Sequence, residues 1–444
     1  MEVQNMEAAD TSQRLDIVKH GSGLQETYDG VSDVVLRKIE AFRDLKIGVI
    51  FHWGLYSLAG IVESWQLSEE DTWARKKPWR DDLSTLRRDY WGLADKFNPT
   101  RFHPDEWARI CNEAGIRYML FTTKHHDGFN MFGTDASAFS VLNTPFKRDV
   151  FSAVSEAFQR AHILTGAYYS KPDWHSPFYW EHGSKPRGRY ASYDPLQKPE
   201  KWRAFNKFVK RQLVEICSKY GPQEILWLDG GWVNRDNNEI LDMDDIVAAL
   251  RTVRADLIVV DRTLGGKYEN YVTPERMIPS ITPIKAWESG IPLAKNWGYV
   301  PRDSYKPFEE ILDDLICIVS KGGNALFGIG PKPNGELPYE ALDILARLGS
   351  WLSNYGEGIY KTRPLVLPDG FPPDVYGTRR DHTCYLFART HGKDRTFDLS
   401  PLLDDFDTPE LLNQSGCLHF LSRGSTITVR EIRERYAVIR LEKR

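Results

Sequence analysis

Hydrophobic and polar positions along the chain follow two periodic patterns, and the first of them extends from residue 31 to residue 356. Short apolar runs, typical of buried strands, are separated by longer stretches whose apolar residues have helical spacing. The predicted strands are Ile47–Trp53, Arg117–Lys124, Leu164–Ser170, Ile225–Leu228, Leu257–Arg262, Lys285–Glu288 and Asn324–Ile329. The predicted helices are Val31–Leu45, Pro104–Ala114, Val150–His162, Glu200–Tyr220, Asp242–Asp256, Pro307–Val319 and Leu337–Ser353. Alternation of this kind indicates parallel βαβ units.

Seven predicted strands come close to the eight strands of a closed barrel. No Gly-x-Gly-x-x-Gly motif follows the first strand, which disfavours a dinucleotide-binding sheet. We therefore predict an α/β fold, an irregular (β/α)8-like (TIM) barrel, for residues 31–356. Residues 1–30 are polar and predict an irregular lead-in. Residues 59–101 are aromatic and long enough for a functional excursion from the barrel.

The second pattern begins at about residue 357. Short alternating or apolar stretches are separated by Gly, Pro and Asp residues, as in Thr383–Arg389 and Ala437–Leu441. This pattern is typical of antiparallel strands joined by turns. It predicts a small β-sandwich domain for residues 357–444.

The composition narrows the class of protein. A chain of 444 residues is too long for one ordinary core, which supports a large domain with a smaller one. The net charge of −4 and the lack of a basic block argue against a nucleic-acid partner. No apolar run reaches 18 residues, so no membrane span is predicted. The 5 scattered Cys residues predict neither a disulfide framework nor a thiolate metal site.

Polar residues gather where the predicted strands end. Six of them lie at or just past a carboxyl end: His52, His125, His126, Asp229, Arg262 and Glu288. In a barrel of parallel strands, catalytic groups lie at this end. Chance accounts for one or two such placements, whereas six indicate a shared pocket.

Two carboxylates in this set predict acid–base chemistry. Asp229 ends a buried strand and precedes two glycines, although an Asp in this position also serves as a helix cap. With Glu288 it offers the pair that a retaining glycoside hydrolase needs, a nucleophile and an acid. Trp287 and Trp297 are expected to keep Glu288 protonated in apolar surroundings. An ion pair between Glu288 and Arg262 is the structural alternative.

The pair His125–His126, followed by Asp127, suggests a metal site at first sight. No His lies at the i+4 position, and adjacent side chains on a strand point in opposite directions, so we predict no metal ligand here. Hydrogen bonds to sugar hydroxyls explain the pair better, and Arg262 suits the same role. One of the neighbouring tyrosines, Tyr168 or Tyr169, is expected to face the pocket. Candidate stacking surfaces for a sugar are Trp65, Trp227, Trp232 and Trp297, with core packing as an alternative for Trp227.

Several motifs occur in a telling order: Phe-His-Trp-Gly at 51–54, Thr-Thr-Lys-His-His-Asp-Gly-Phe at 122–129, Tyr-Tyr-Ser at 168–170 and Trp-Leu-Asp-Gly-Gly at 227–231. Trp-Gly-Tyr at 297–299, Gly-Gly-Asn-Ala-Leu at 322–326 and Tyr-Gly-Glu-Gly-Ile-Tyr at 355–360 continue the order. As a set, over residues 45–364, they resemble glycoside hydrolase family 29, the retaining α-L-fucosidases. The tail is similar to the C-terminal β-sandwich of that family.

The resemblance implies that Asp229 is the nucleophile and that no metal or other cofactor is needed. It implies that the fucose is held by His52, His125, His126, Tyr168, Trp227 and Arg262. The family motif Ser-Glu-Trp is replaced here by Glu63-Ser64-Trp65, which leaves a contact between Glu63 and fucose open. The role of Glu288 as acid and base is inferred from its Trp-Glu-Ser context and its predicted place at a strand end.

We therefore predict a retaining exo-α-L-fucosidase that releases terminal α-L-fucose from fucosylated glycans or glycoconjugates through a covalent β-fucosyl-enzyme. A non-catalytic fucose-binding protein on the same scaffold is the main alternative. A metal-dependent hydrolase that uses His125 and His126 is a second alternative, and α-L-galactosidase action is a possible side activity. The resemblance implies a periplasmic or secreted protein whose signal peptide is trimmed, and a cytoplasmic location stays open because residues 1–15 contain no apolar signal region.

Overall fold

The computed structural model of the chain describes residues 26–181, 183–399, 402, 406–407, 409–414, 416–420 and 426–443. Its α-helices in these ranges are α1 (Asp33–Leu45), α2 (Leu55–Ala59), α3 (Leu83–Trp91), α4 (Pro104–Glu113), α5 (Val150–Arg160), α6 (Pro199–Lys219), α7 (Met243–Val253), α8 (Phe308–Ser320) and α9 (Tyr339–Tyr355). The strands of the first domain are β1 (Ile47–Phe51), β2 (Tyr118–Lys124), β3 (Leu164–Ser170), β4 (Ile225–Asp229), β5 (Ile258–Asp261), β6 (Glu288–Pro292) and β7 (Asn324–Ile329). Of the predicted lead-in, residues 1–25 lie outside the described residues.

Strands β1 to β7 form one parallel sheet in the order β5-β4-β3-β2-β1-β7-β6. Their apolar runs are buried on both faces, as in β2, where all seven residues are buried. Burial on both faces is expected when helices cover a parallel sheet. Amphipathic helices provide this cover, and α4 turns Trp107, Ala108 and Cys111 inward. The prediction of a (β/α)8-like barrel is confirmed.

An irregular segment, residues 270–276, fills the place between β5 and β6. The N–H of Asn270 donates to the carbonyl of Val259 in β5 at 3.0 Å. On the other side, Val272 and Glu275 form parallel bridges to Trp287 and Gly290. This segment therefore takes the position of the eighth strand and ends at the same edge of the barrel as β4 and β5.

The sixth predicted strand is placed differently in the structure. Lys285–Glu288 was expected to be a strand with Glu288 at its carboxyl end, but β6 begins at Glu288 and continues to Pro292. Ser289, Gly290 and Pro292 are weak strand formers, and their strand geometry is imposed by pairing with β7 and with residues 270–276. Glu288 consequently lies at the amino end of its strand, so the predicted placement is wrong.

Loops at the carboxyl edge of the parallel sheet contain many polar and aromatic residues. The predicted excursion, residues 59–101, contains α3 and several short 3-10 turns, Trp65–Leu67, Thr72–Arg75 and Gly92–Lys96. Helix α3 begins where the carboxylate of Asp82 accepts the N–H of Thr85 at 2.7 Å, an ordinary N-cap. The Trp65–Leu67 and Thr72–Arg75 turns face the loop that follows β3, and both segments border the cavity described below.

The second domain consists of two antiparallel sheets. Its strands are β8 (Arg363–Pro364), β9 (Val375–Arg380), β10 (Thr383–Arg389), β11 (Arg395–Asp398), β12 (Glu410–Leu411), β13 (Cys417–Phe420), β14 (Thr426–Arg430) and β15 (Tyr436–Glu442). One sheet has the order β12-β15-β10-β9-β8 and the other β11-β14-β13. Leu386 and Ile439 of the first sheet pack with Ile427 and Val429 of the second. The predicted small antiparallel β domain is confirmed. No helix in the described ranges has the length and apolar character that crossing a bilayer requires.

Candidate active site

A cavity of about 1690 Å³ opens at the carboxyl edge of the parallel sheet. Eleven of the twelve predicted site residues line it: His52, Glu63, Trp65, His125, Tyr168, Trp227, Asp229, Trp232, Arg262, Glu288 and Trp297. The twelfth, His126, lies directly behind the wall, with its Nε2 atom 3.9 Å from Oδ2 of Asp229. Parallel strands bring residues that are distant in sequence to one edge, as the strand-end pattern predicted.

Asp229 is the last residue of β4, and both of its carboxylate oxygens accept hydrogen bonds. Nη1 of Arg262 donates to Oδ1 at 2.9 Å. The hydroxyl of Tyr168 donates to Oδ2 at 2.6 Å. Gly230, whose φ of +93° suits glycine, turns the chain away immediately after the carboxylate.

The charge state of Asp229 follows from these contacts. Burial, the largest single effect, would raise the pKa of the carboxyl, but the Arg262 cation, His126, the Tyr168 hydroxyl and the Gly230 N–H together outweigh it and hold the pKa well below its usual range. Asp229 is therefore a buried carboxylate that stays ionised at neutral pH, as a nucleophile requires.

Arg262 joins Asp229 to a second carboxylate that the sequence analysis did not single out. Nη2 of Arg262 donates to Oε2 of Glu275 at 3.0 Å, and the indole N–H of Trp297 donates to Oε1 at 2.8 Å. The guanidinium also faces the ring of Trp227 at 4.3 Å. Two carboxylates held by the two terminal nitrogens of one guanidinium lie within about 8 Å of each other. The separation of about 5–5.5 Å that double displacement needs falls inside this bound.

Three histidines surround the carboxylate of Asp229. Nδ1 of His125 is 2.6 Å from the Ser64 hydroxyl, and Nδ1 of His126 is 2.5 Å from the Ser170 hydroxyl. These bonds fix both rings, and Nε2 of His126 has no hydrogen-bond partner among the described residues. Nδ1 of His52 is likewise buried and unbonded within that set. Because buried polar atoms are normally satisfied, two unbonded imidazole nitrogens beside the cavity are candidates for bonds to a polar ligand.

Burial keeps the histidines neutral. It lowers the pKa of His52 to about 4 and that of His126 to about 3, against the opposing effect of Asp229, and it lowers the pKa of His125 well below its ordinary value. A neutral imidazole donates one hydrogen bond and accepts another. The rings therefore suit sugar hydroxyls, which also donate and accept. Among the described residues, no group of three or more His, Cys, Asp or Glu side chains is placed to hold a metal ion.

Aromatic side chains from separate loops form one wall of the cavity. The Trp65 and Trp232 rings lie 5.8 Å apart, and both contact His126, at 4.7 and 5.0 Å. The guanidinium of Arg189 lies 5.2 Å from the Trp65 ring and 5.0 Å from the Trp232 ring, and it pairs with buried Asp71. Asp71 therefore ties the excursion at residues 59–101 to the loop after β3.

Two of the predicted site residues, Glu63 and Trp227, are buried and also make contacts within the protein. Glu63 is buried, accepts the N–H of Gly298 at 2.6 Å, and has a pKa raised by burial to about 7. Trp227 stacks on Tyr168, with ring centroids 5.3 Å apart, and is only 7% exposed. Of the two neighbouring tyrosines, Tyr168 faces the cavity, while Tyr169 turns away and donates to Gln212 of α6 at 2.8 Å.

Glu288 lies at the floor of the cavity rather than beside Asp229. Its oxygens accept from the Tyr118 hydroxyl at 2.6 Å and from the Trp227 indole N–H at 3.3 Å. Its side chain is 1% exposed, and burial raises its pKa to about 7. Glu275 pairs with Gly290, two residues further along β6, which is about 7 Å nearer the carboxyl edge.

Glu275 was missed because it lies in a segment that gives no strand signal in the sequence. Residues 270–276 contain Pro274 and are too short and irregular for a recognisable strand pattern. Lys171 and Asp261 were also missed; they form a buried ion pair at 2.5 Å on the cavity wall, next to the ends of β3 and β5. Their position one residue past or at a strand end was the available signal.

Comparison with known proteins identifies relatives of the whole catalytic region. A family model described as alpha-L-fucosidase matches residues 25–357. The plasma alpha-L-fucosidase of Rattus norvegicus is 28% identical over 363 residues, which cover 78% of this chain and 76% of the relative.

Solved structures show the same fold. Alpha-L-fucosidase isoenzyme 1 from Paenibacillus thiaminolyticus has a TM-score of 0.78 and 24% identity, with 93% of this chain and 100% of that chain covered. A family 29 alpha-L-fucosidase from Bacteroides thetaiotaomicron, trapped as a covalent intermediate with 2-fluoro-fucosyl fluoride in a glutamate-to-glutamine variant, has a TM-score of 0.74 and 22% identity, with 95% and 99% covered.

Proposed function

Because this chain belongs to the alpha-L-fucosidase family, glycoside hydrolase family 29, we propose that it is a retaining exo-α-L-fucosidase acting on terminal α-L-fucose of fucosylated glycans or glycoconjugates. One observation carries the proposal: Asp229 and Glu275 share the guanidinium of Arg262 in the cavity. This arrangement accommodates the spacing of double displacement, and the trapped covalent intermediate of a family relative favours that mechanism over inversion.

In the first step, a carboxylate oxygen of Asp229 attacks C1 of the fucose while the bond from C1 to the leaving oxygen breaks. Glu275 donates its proton to that oxygen. Arg262, His126, Tyr168 and the N–H of Gly230 keep Asp229 ionised, and we assign the transferred proton to Glu275. The product of this step is a covalent β-fucosyl-enzyme.

In the second step, Glu275 removes a proton from water, the water oxygen attacks C1, and the bond from C1 to Asp229 breaks. The fucose leaves with its original α configuration, and Glu275 is protonated again. The trapped covalent intermediate of the Bacteroides thetaiotaomicron relative supports such a sequence.

We place Glu275, rather than Glu288, in the role of acid and base. The oxygens of Glu288 accept three buried donors, from Tyr118, Trp227 and Tyr271, and the carboxyl group lies at the amino end of β6. A proton donor has to reach the leaving oxygen within hydrogen-bond distance. Glu288 is better suited to close the floor of the pocket and to orient Trp227.

The remaining polar atoms are proposed to recognise the sugar. Nδ1 of His52 and Nε2 of His126 are buried without a hydrogen-bond partner among the described residues, and we propose that these neutral imidazoles bond hydroxyls of the sugar. Hydrogen bonds that strengthen as the ring flattens lower the barrier more than bonds to the ground state. His125, Trp65, Trp232 and Trp297 complete the proposed fucose pocket, and Glu63 borders it.

Other predictions stay proposals. We propose that the barrel extends over residues 31–356 and the β domain over 357–444, since α9 ends at Tyr355 and β8 begins at Arg363. A periplasmic or secreted location stays a prediction from the family resemblance.

The stereochemistry of the reaction tests the mechanism. Proton NMR during hydrolysis of 4-nitrophenyl α-L-fucoside is expected to show α-L-fucose first, with the β anomer appearing only by mutarotation. Asp229→Gly is expected to lose about 10³-fold or more in kcat. With azide it should form β-fucosyl azide, because azide enters the space that the Asp229 side chain leaves and attacks C1 from that side. Release of β-L-fucose first, or no release by folded enzyme, contradicts the proposed function.

A matched pair of variants decides between the two glutamates. Glu275→Ala is expected to lose about 10²–10⁴-fold in kcat/KM on substrates with poor leaving groups. On 4-nitrophenyl α-L-fucoside, azide should raise its kcat by attacking the fucosyl-enzyme in place of water and should give α-fucosyl azide. Glu288→Ala, checked for folding by circular dichroism, is expected to give no azide product. The reverse pattern, with α-fucosyl azide from Glu288→Ala alone, would return the acid–base role to Glu288.

A further inference from the structure

The cavity is much larger than one fucose requires. Its volume of about 1690 Å³ exceeds the range of roughly 300–1,000 Å³ that is usual for small-ligand pockets. The inner part holds the carboxylates, the histidines and the aromatic wall described above. The outer part is bordered by exposed residues of the segment after β4, the excursion and the segment after β6, and we expect the group attached to fucose to lie there.

Three cations stand around this outer part, each a few residues from a tryptophan of the cavity. Lys76 follows Trp73, Arg235 follows Trp232 and Lys295 precedes Trp297. We call Lys76, Arg235 and Lys295 the rim cations. All three are exposed, and none forms an ion pair with a carboxylate of the described residues.

Two of these tryptophans, Trp73 and Trp297, contact residues of the inner cavity directly or through one neighbouring ring. Trp73 packs against Trp65 at 5.8 Å, and Trp65 in turn contacts His126. Trp297 contacts His52 at 5.1 Å and donates to Glu275. The rim cations therefore surround the exit of the fucose pocket rather than a separate surface.

The acidic groups of the cavity do not balance these cations. Asp229 and Glu275 are paired with Arg262, Glu275 also with Arg276, and Asp261 with Lys171. Burial favours the neutral form of Glu63, Glu239 and Glu288. Asp236 is the one exposed acid among the described lining residues, so the exit carries a positive surplus on a chain whose net charge is −4.

We propose that the outer cavity binds an aglycone with an anionic group, a carboxylate or a sulfate, against Lys76, Arg235 and Lys295. This inference rests on the proposed fucosidase function and adds the chemical class of the group attached to fucose. Lysine and arginine side chains attract such anions, and a cleft lined by one sign of charge raises the local concentration of the oppositely charged substrate.

Three aryl fucosides test the inference: 4-nitrophenyl α-L-fucoside and its ring derivatives with a 3-carboxylate or a 3-sulfonate. The measured quantity is the ratio of kcat/KM for each acidic substrate to kcat/KM for the neutral one. The intrinsic reactivity of each leaving group is the same in every variant, so a change in the ratio reports on the protein. The two acidic arms distinguish a carboxylate site from a sulfate site.

The rim variant is Lys76→Gln, Arg235→Gln and Lys295→Gln combined. Its matched control is Lys207→Gln, Lys393→Gln and Arg433→Gln combined, since these exposed cations lie outside the cavity lining and the same charge is lost. We expect the acidic-to-neutral ratio to fall at least fivefold in the rim variant and less than twofold in the control. Raising NaCl from 20 mM to 0.5 M should bring the wild-type ratio toward that of the rim variant.

Equal ratios in wild type and rim variant, for both acidic substrates, would overturn the inference. If folded wild type hydrolyses none of the three fucosides, the proposed function fails, and calorimetric Kd values for the same substrates and variants then decide the inference. A Kd ratio that changes only in the rim variant supports the anionic site, and an unchanged ratio overturns it.

Discussion

The guanidinium of Arg262 sets the charge balance at the centre of the cavity. It contacts Asp229 and Glu275 through different nitrogens, and its Nε donates to the Thr273 hydroxyl at 3.0 Å. Trp227 covers one face of the guanidinium and excludes water. A planar group with five fixed donors performs this task, whereas a lysine in the same place offers a single point of charge.

The buried neutral histidines make the stability of the protein depend on pH. The pKa of His52 is about 4 in the folded chain, and that of an unfolded histidine is about 6.5. Below pH 6.5 the unfolded chain takes up a proton that folded His52 does not, so stabilisation present above pH 6.5 is lost as the pH falls toward 4. His52 is thus expected to contribute about 2 kcal/mol less to the free energy of unfolding at pH 5 than at pH 7.5.

Urea unfolding of wild type and His52→Gln at both pH values measures this contribution. Glu63 and Glu288 act in the opposite direction because burial raises their pKa values to about 7, so only the difference between the two proteins isolates His52. His103→Gln, at an exposed site, is the control and should follow wild type. Identical pH dependence in wild type and His52→Gln would show that His52 is not a buried neutral group.

Single residues differ in how well sequence alone locates them. Asp229 was predictable because an unbroken apolar run leads directly to it and two glycines follow. Glu275 was not, because its segment is held by hydrogen bonds to Gly290 and Ala286 rather than by its own strand propensity. Burial also raises the pKa of Glu288 to about 7, so a raised pKa by itself does not tell an acid catalyst from a structural carboxyl.

Two glycines in neighbouring strands make room for Trp297. A Cβ atom at Gly290 in β6 would lie 2.9 Å from the Trp297 ring. A Cβ atom at Gly328 in β7 would overlap the same ring and approach Cα of Pro292 to 3.1 Å. The ring sits over these glycines, and its indole N–H is aimed at Glu275.

Gly328→Ala is therefore expected to displace Trp297 and weaken its hydrogen bond to Glu275. We expect kcat/KM for 4-nitrophenyl α-L-fucoside to fall by about 10- to 100-fold, because small misplacements of a catalytic group are costly. Overpacking should lower the free energy of unfolding by about 1–3 kcal/mol.

Gly92→Ala is the matched control, because a Cβ at Gly92 meets no atom within 4 Å and its φ of −65° suits alanine. It should change neither quantity by much. Full activity in Gly328→Ala would mean that Trp297 does not position Glu275.

At the level of elements, the regular strands and helices followed from periodicity, and the irregular ones did not. Leu164–Ser170 and Asn324–Ile329 were predicted with the bounds they have in the structure. Strand β6 begins three residues later than predicted, because Ala286 and Trp287 gave an apolar signal whereas pairing with β7 begins at Glu288. Loops such as residues 171–198 carry no periodicity, so Arg189 and its contacts with Trp65 and Trp232 were beyond prediction.

The barrel and the β domain share one core. Successive residues of β10 face opposite sides of the strand. Phe387 packs in the core cluster of the barrel, 6.2 Å from Trp351 of α9, while Leu386 packs between the two antiparallel sheets. Asp313 of α8 adds polar contacts, accepting from Arg435 at 2.6 Å and from the Tyr436 hydroxyl at 2.8 Å. The change of hydrophobic pattern near residue 357 predicted two domains, but it did not reveal this shared core, since alternation does not tell which partner each face meets.

Because the core is shared, the two domains are expected to unfold together in wild type. Phe387→Ala removes a fully buried ring at the junction and should lower the free energy of unfolding by about 3–5 kcal/mol. It should also uncouple the domains, so that amide hydrogens of β15 exchange at a lower urea concentration than that at which tryptophan fluorescence changes. All 14 tryptophans precede residue 352, so the fluorescence change follows unfolding of the barrel, with Trp351 at its junction with Phe387.

Leu386→Ala provides the matched control, because its side chain is as deeply buried but belongs to the core between the antiparallel sheets. Its loss destabilises the β domain while the junction with the barrel stays intact. Exchange of β15 and the fluorescence change are then expected to shift to lower urea together. Coincident transitions in Phe387→Ala, or separate transitions already in wild type, would show that the junction at Phe387 does not couple the barrel to the β domain.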